Sequence, residues 1–245
     1  MKKKLTEDQS ILALKKAAKY RREFLGNVSH ELKTPIFNIQ GYIHTLIDGA
    51  LEDPDVNRKY LLRTSKSIDR MISIIEDLEQ LARLDSDELD LNLTEWDFIE
   101  LVNELIEFFE IKSNEKKISL KLDSSVDKLH VVADKEKINQ VLLNLISNSI
   151  KYGKIGGQIF IKIDKKVRVS KIMVIDNGIG ISKKNMPRVF ERFYRVDKGR
   201  SRSQGGTGLG LAIVKHIIEA HDEKVYLKSQ ENKGTTISFN IRNSL

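Results

Sequence analysis

An apolar stripe at helical spacing runs through the first part of the chain: Leu25, Val28, Leu32, Ile36, Ile39, Ile43 and Leu46 recur in steps of three and four. This repeat puts all of them on one face of a helix, expected over residues 5 to 47. Residues 48 to 57, with Asp48, Gly49, Asp53, Pro54 and Asp55, carry turn chemistry. A second stripe follows at Leu61, Ile68, Met71, Ile75, Leu78 and Ala82. Two amphipathic helices joined by a short turn make a helical hairpin. A lone hairpin buries too little apolar area to be stable. Pairing two hairpins into a four-helix bundle solves that problem, so a homodimer is expected.

After Asp85-Ser86-Asp87 the pattern changes. Trp96 to Phe109 reads as a helix, Lys117 to Asp123 alternates as a strand, and Ile138 to Tyr152 is helical again. Gln158 to Asp164 and Val169 to Asp176 alternate as strands. Gly208 to His221 reads as a helix, and Lys224 to Ser229 and Thr235 to Ile241 as closing strands. A tight turn at 165–168 makes its flanking strands antiparallel neighbours. The expected fold class is α plus α/β: a helical hairpin forming a dimeric four-helix bundle, then a two-layer α/β sandwich with helices on one face of a mixed sheet. The expected domains are 1–88 and 94–245.

Composition narrows the setting. Hydrophobic residues at 40% and charged residues at 31% suit a globular chain with a core. The absence of cysteine excludes disulfides and thiolate metal sites and fits a reducing cytoplasm. No apolar run approaches the roughly 20 residues of a membrane helix, and Met1-Lys2-Lys3-Lys4 leads into no signal-peptide core. Those lysines suit either a charged helix start or a positive flank just beneath a membrane. The net charge of +7 is concentrated: residues 183 to 202 hold eight basic and two acidic residues, a net +6. Such a cluster suits a nucleic acid, a triphosphate or plain solvent. Beyond Phe190 it holds only Phe193 and Tyr194, too few for a stacking platform for bases.

Four clusters carry chemistry. In Ser29-His30-Glu31-Leu32-Lys33-Thr34-Pro35, Val28, Leu32 and Ile36 face the bundle, so His30 projects from its flank. A neutral imidazole is a competent nucleophile toward a phosphoryl group. Glu31 is placed to hold its ring and fix the tautomer. Thr34, one turn on, could orient a water. Pro35 removes a helix hydrogen bond and bends the rod. In the second cluster, Asn144 and Asn148 stack on one helical face, opposite Val141, Leu142, Leu145, Ile146 and Ile150. Amide oxygens suit Mg²⁺, Lys151 can reach a phosphate, and Tyr152 can lie against a base. In the third, Asp176 precedes Asn177-Gly178-Ile179-Gly180, a turn able to bring backbone close to a ligand; a carboxylate there can read an adenine amine, although Asp-Asn-Gly is also a hairpin signal. In the fourth, Gly205-Gly206-Thr207-Gly208-Leu209-Gly210 opens a helix, whose free N–H groups favour phosphate. It is neither a dinucleotide fingerprint nor a P-loop.

The order and spacing of these clusters resemble the sensor histidine kinases, with their gyrase-type ATP-binding fold. Phe24 to Pro35 looks like the family's phosphoacceptor box and Asn144 to Tyr152 like its N box. Asp176 to Gly180 resembles the first glycine box, Val189 to Arg195 the F box, Gly206 to Gly210 the second glycine box, and Gly234-Thr235 a final turn near the adenine. The resemblance implies phosphorylation of His30, Mg²⁺ on Asn148 with Asn144 nearby, and adenine read by Asp176 and Thr235. It also implies a pocket and lid shaped by Gly178, Gly180, Gly206, Gly208 and Gly210, with Thr207 and Leu209 between them. Lys151 and the basic lid, Arg195 and Lys198 included, would meet the triphosphate, Tyr152 would meet the adenine, and Phe190 and Phe193 would anchor the lid. Ser149 and Gly153 stand where the family often has alanine and a threonine or serine.

The implied activity is ATP-dependent autophosphorylation of His30, then transfer to an aspartate on a response regulator receiver domain; no nucleic-acid partner is expected. The Glu31-x-x-Thr34 pattern resembles members that also dephosphorylate their regulator. The chain is expected to be cytoplasmic, a fragment of a membrane-anchored inner-membrane sensor. A gyrase- or mismatch-repair-type ATPase would place a hydrolytic base in the N-box helix, where Glu136 lies too far upstream, and would have no use for the hairpin. A non-catalytic scaffold would be expected to lack Asn148, Asp176 or the glycines.

Overall fold

The computed structural model describes residues 2–85, 91–196 and 207–244. The chain forms two compact units, Met1–Glu79 and Gln80–Leu245.

The first unit is a helical hairpin. Helix α1 (Lys2–Thr45) runs on into a short π-helix, Leu46–Ala50, and α2 (Pro54–Asp85) returns. Gly49, at φ 120°, takes a conformation closed to most side chains and lets the chain leave the helix. The return starts where proline is tolerated: Pro54 opens α2, and Asp53 Oδ1 accepts from Asp55 N at 2.9 Å. The expected turn over 48–57 is therefore shorter, its ends absorbed into helix. Pro35 is buried inside α1, where a proline forfeits one ladder bond. Leu46 and Ile74 are buried. Much of the stripe is not: Leu25, Ile36, Ile43, Leu61, Ile68 and Ile75 remain 41–55% exposed in one chain.

The second unit is a two-layer α/β domain. In chain order it has β1 (Thr94–Asp97), α3 (Phe98–Phe108), α4 (Glu110–Glu115), β2 (Ser119–Ser124), β3 (His130–Ala133) and α5 (Lys135–Tyr152). Then come β4 (Gln158–Asp164), β5 (Val169–Asp176), α6 (Gly210–Ala220), β6 (Tyr226–Gln230) and β7 (Gly234–Arg242). The main sheet has the order β2-β4-β5-β7-β6; β2 runs parallel to β4 and the remaining pairs are antiparallel. Apolar residues alternate where one face is covered: Ile159, Ile161 and Ile163 of β4, Ile172 and Val174 of β5, and Ile237, Phe239 and Ile241 of β7 are all buried, with Ser238 of β7 buried between two of them. Helix α5 packs on β4, β5, α3 and α6, burying Ile138, Val141, Leu142, Leu145, Ile146 and Ile150. Each such side chain contributes about 1.5–3 kcal/mol of hydrophobic stabilisation.

Several boundaries differ from expectation, three of them with an identifiable physical reason. Trp96 belongs to a strand rather than a helix, because β1 pairs with β3, a strand the sequence pattern did not suggest, and Trp96 Nε1 donates to Ala133 O at 2.9 Å. Asp97 then caps α3, accepting from Ile99 N at 3.0 Å. Helix α5 begins at Lys135, three residues earlier than read, because Asp134 caps it through Lys137 N at 3.0 Å. Helix α6 begins at Gly210, so Gly208 and Leu209 lie ahead of it.

Asp97 Oδ1 also accepts from Leu129 N at 3.0 Å, joining the helix start to the segment before β3. Asp97→Ala is expected to lower stability by about 1–2 kcal/mol, the upper part of the usual range for a lost N-cap. Urea unfolding would show this as a lower midpoint at unchanged slope.

Candidate functional site

The chemistry-bearing residues form two groups, one in each unit. On the hairpin, α1 presents His30 fully to solvent, while Glu31 and Thr34 are half-buried. Thr34 Oγ1 donates to His30 O at 3.2 Å, one turn back along the helix. Glu31 Oε2 accepts from Arg70 Nη2 of α2 at 2.8 Å, so the carboxylate of the residue that follows His30 is held across the hairpin.

In the second unit the N-box helix, the first glycine turn and the start of α6 come together. Asn144, Asn148, Lys151 and Tyr152 lie along α5 and are half-buried. Lys151 Nζ stands 5.2 Å from the Tyr152 ring centroid, a cation–π contact. Ile179 N donates to Tyr152 O at 3.2 Å, so the glycine turn is hung from the end of the helix. A Cβ at Gly178 would run into that same carbonyl. A Cβ at Gly210 would lie 2.8 Å from Asn144 Oδ1, which shows how closely α6 starts beside α5. Thr207 is buried and its Oγ1 accepts from Leu209 N at 3.1 Å; Leu209 is wholly buried. Gly208, at φ 80°, packs against Phe193 and Arg195, where a side chain would meet both strain and collision. Gly180 lies against Gln230, and Gly234 against Asp176 and Asn177. Lys198 and Gly206 lie outside the described residues.

Asp176 ends β5 at the centre of this arrangement. Its Oδ1 accepts from Gly178 N at 2.9 Å and Thr235 N at 3.2 Å, and its Oδ2 accepts from Ser149 Oγ at 3.4 Å. Burial pushes its carboxyl above the usual carboxylate range; the bonds from Gly178, Thr235 and Ser149 oppose that shift only in part. Thr235 is held in turn, its Oγ1 2.9 Å from Ser229 Oγ. Among the described residues no group of three or more His, Cys, Asp or Glu side chains could hold a metal ion. A metal here would need ligands from a bound molecule, and the half-buried amide of Asn148 is a hard oxygen donor of the kind Mg²⁺ accepts beside phosphates and waters.

Two family models divide the chain between them. The His Kinase A (phospho-acceptor) domain matches residues 20–87, and the histidine kinase-, DNA gyrase B-, and HSP90-like ATPase matches residues 133–245. The chain belongs to the sensor histidine kinase family. This kinase is similar to the sensor histidine kinase WalK of Bacillus subtilis, with 42% identity over 90% of the chain and 36% of that protein. It is 36% identical to a Staphylococcus aureus sensor protein kinase WalK, over 97% of the chain and 56% of that relative. The chain thus spans about a third to a half of the curated relatives it matches. Among solved structures it resembles histidine kinase ThkA in complex with response regulator protein TrrA, at TM-score 0.75 and 27% identity, over 95% of this chain and 66% of that one.

Three neighbours of these groups escaped sequence reasoning. Arg70 lies 39 positions from Glu31, a separation that no local periodicity reports. Ser149 looked like a neutral departure from the family, yet it is buried and touches the Asp176 carboxylate. Ser229 carries no motif at all; it donates to Gly234 O at 2.8 Å beside Thr235.

The raised Asp176 pKa sets a sign. A carboxyl whose folded value lies above its unfolded value holds its proton more tightly in the folded state, so its contribution to stability is largest at low pH. That contribution falls as pH rises through the folded value. Asp176→Asn keeps an acceptor for Gly178 N and Thr235 N and removes the buried charge. Its melting temperature is expected to equal or exceed that of the parent at neutral pH, with the difference vanishing toward pH 4. Asp176→Ala strands both donors and should cost about 1–3 kcal/mol. Thermal unfolding of both variants across pH 4 to 8 checks the pair.

Proposed function

We propose that this chain is the catalytic core of a sensor histidine kinase that binds ATP with Mg²⁺, phosphorylates its own His30 and passes the phosphoryl group to an aspartate of a response regulator receiver domain. One observation carries the proposal: a solvent-facing histidine in the segment matched by the phospho-acceptor model shares its chain with Asn144 and Asn148 on one face of α5 and with Asp176, tied to α5 through Ser149, in the segment matched by the ATPase model. The proposed domains are 1–88 for dimerisation and phosphotransfer and 94–245 for ATP binding.

The division of labour follows from the residues. Asp176 Oδ2 accepts from the adenine amine, with Thr235 beside it, and Tyr152 lies against the base. Lys151 and the basic segment that includes Arg195 and Lys198 meet the phosphates. Gly178, Gly180, Gly206, Gly208 and Gly210 let backbone approach the nucleotide, with Thr207 and Leu209 setting the entry to α6. Asn148 would hold Mg²⁺, with Asn144 near it, and the bound ion would neutralise phosphate charge. His30 Nε2 attacks the γ-phosphorus in line; the N–P bond forms as the bond to ADP breaks, with positioning and charge neutralisation doing most of the catalysis. Glu31 orients the imidazole. The labile N–P bond then suits transfer to a carboxylate.

Support for the partners is of three kinds. The exposed stripe from Leu25 to Ile75 is the surface a second copy would cover, which favours a homodimer. ThkA, a structural relative, is in complex with a response regulator protein. The lack of cysteine and the run Lys2-Lys3-Lys4 fit a cytoplasmic location as the kinase part of an inner-membrane sensor; no described helix is itself long and apolar enough to cross a membrane.

The test is labelling with γ-³²P-ATP. The chain should take up label that is lost in acid and kept in base. His30→Ala should take up none while binding ATP normally, and equal loss of nucleotide affinity in that variant would overturn the assignment. Asn148→Ala should lose Mg²⁺-dependent binding and labelling together.

Thr34 separates the second activity. Its hydroxyl is spent on the His30 carbonyl, so it must turn to hold the water that attacks an aspartyl phosphate. Thr34→Ala should leave autophosphorylation and transfer near normal while dephosphorylation of a phosphorylated regulator fails in the presence of ADP. Parallel loss of both activities would make Thr34 a helix-packing residue.

A further inference from the structure

The ion pair beside His30 is the least expected feature of the hairpin. Arg70 and Glu31 sit on different helices, meet at 2.8 Å, and are each only 13% exposed. The hairpin's other described ion pair, Lys19–Glu23, is a loose contact of 3.9 Å between side chains 77% and 56% exposed. Burying two charges is costly, and replacing such a pair by neutral groups of similar size is often neutral or stabilising. Stability alone is therefore a poor reason for placing one here. Its position offers a better one, because Glu31 is the residue next to the nucleophile.

Neighbours in a helix point about 100° apart. His30 accordingly faces solvent while Glu31 turns toward α2. A glutamate with three rotatable bonds, left to itself beside solvent, spreads over many rotamers. A guanidinium is always charged and presents its donors in a rigid plane, so it holds a carboxylate in one place better than an ammonium would.

We infer that Arg70 is a positioning residue for phosphorylation of His30: it clamps the Glu31 carboxylate from the second helix and so fixes the direction from which that carboxylate can serve the neighbouring imidazole. This rests on the role given above to Glu31. Arg70 touches no reacting atom, and the transfer step is unchanged; the clamp acts only through Glu31. It also means that Glu31→Ala would remove an acceptor from Arg70 in a half-buried site, so Glu31→Gln is the cleaner probe of the carboxylate.

Autophosphorylation of the full chain with γ-³²P-ATP tests the inference in Arg70→Met, Arg70→Lys, Glu31→Gln and the double variant Glu31→Gln/Arg70→Met. Arg70→Met keeps the bulk and loses the charge. It should lower kcat roughly 10–100-fold, the range seen when an outer group that orients a functional side chain is removed, with KM for ATP unchanged. Arg70→Lys should recover most of the rate. The double variant should match Glu31→Gln, because the clamp acts on the rate only through the Glu31 carboxylate. A normal rate in Arg70→Met, or a double variant slower than Glu31→Gln by a further factor, would overturn the inference. So would a double variant restored to the parent rate, since the pair would then serve folding alone. If Arg70→Met does not fold, as judged by circular dichroism, the comparison of the double variant with Glu31→Gln decides. Failure of the underlying reading looks different: Glu31→Gln would itself run at the parent rate, or the parent would carry no acid-labile label.

Discussion

A half-buried carboxylate at the end of a central strand organises the α/β unit. Asp176 Oδ1 accepts from the turn that follows it and from the start of β7, and Oδ2 meets Ser149 on α5. One side chain thereby fixes three elements at the pocket. Gly234 reaches Asp176 O so closely that a Cβ has no room, and the Ile179–Tyr152 bond hangs the same turn from the N-box helix. The charge pays for this junction in desolvation, which is why its carboxyl is pushed upward despite its donors. Placing an ionisable group where its charged form is poorly solvated leaves a fold less stable than it could be.

The hairpin depends on a different constraint. Its described length far exceeds what two helices can bury between themselves, and only a few apolar side chains, such as Leu46 and Ile74, are covered in one chain. The rest of the stripe is left at half exposure, a state that a second copy relieves at once. Against this apolar background the Arg70–Glu31 pair and the buried Pro35 stand out, both within five residues of His30 along α1 or directly opposite it. Polar and conformational cost is concentrated around His30.

How much of this could be read in advance depended on range. Strands 158–164 and 169–176 were legible to the residue because covered faces force apolar alternation on seven and eight consecutive positions. Asn144 and Asn148 could be placed on one face of α5 because helical spacing is local. Strands β1 and β3 were not legible: each has four residues, too few for a period, and each is held by the other across more than thirty positions. Trp96 accordingly looked like the first turn of the helix that Asp97 in fact caps. Ser149 was visible as a residue but not as a contact, since nothing local says that its hydroxyl meets the end of β5.

The sequence by itself determined the two kinds of structure, a helical hairpin and a two-layer α/β unit, because each is written in periodicity or in residue types at short spacing. The tertiary structure alone decided the parallel placement of β2 beside β4, the three donors gathered on Asp176, and the capture of Glu31 by an arginine 39 residues away. Those are matters of which distant groups become neighbours when the core closes. Burial then sets their energies, and a linear pattern carries neither distance nor dielectric.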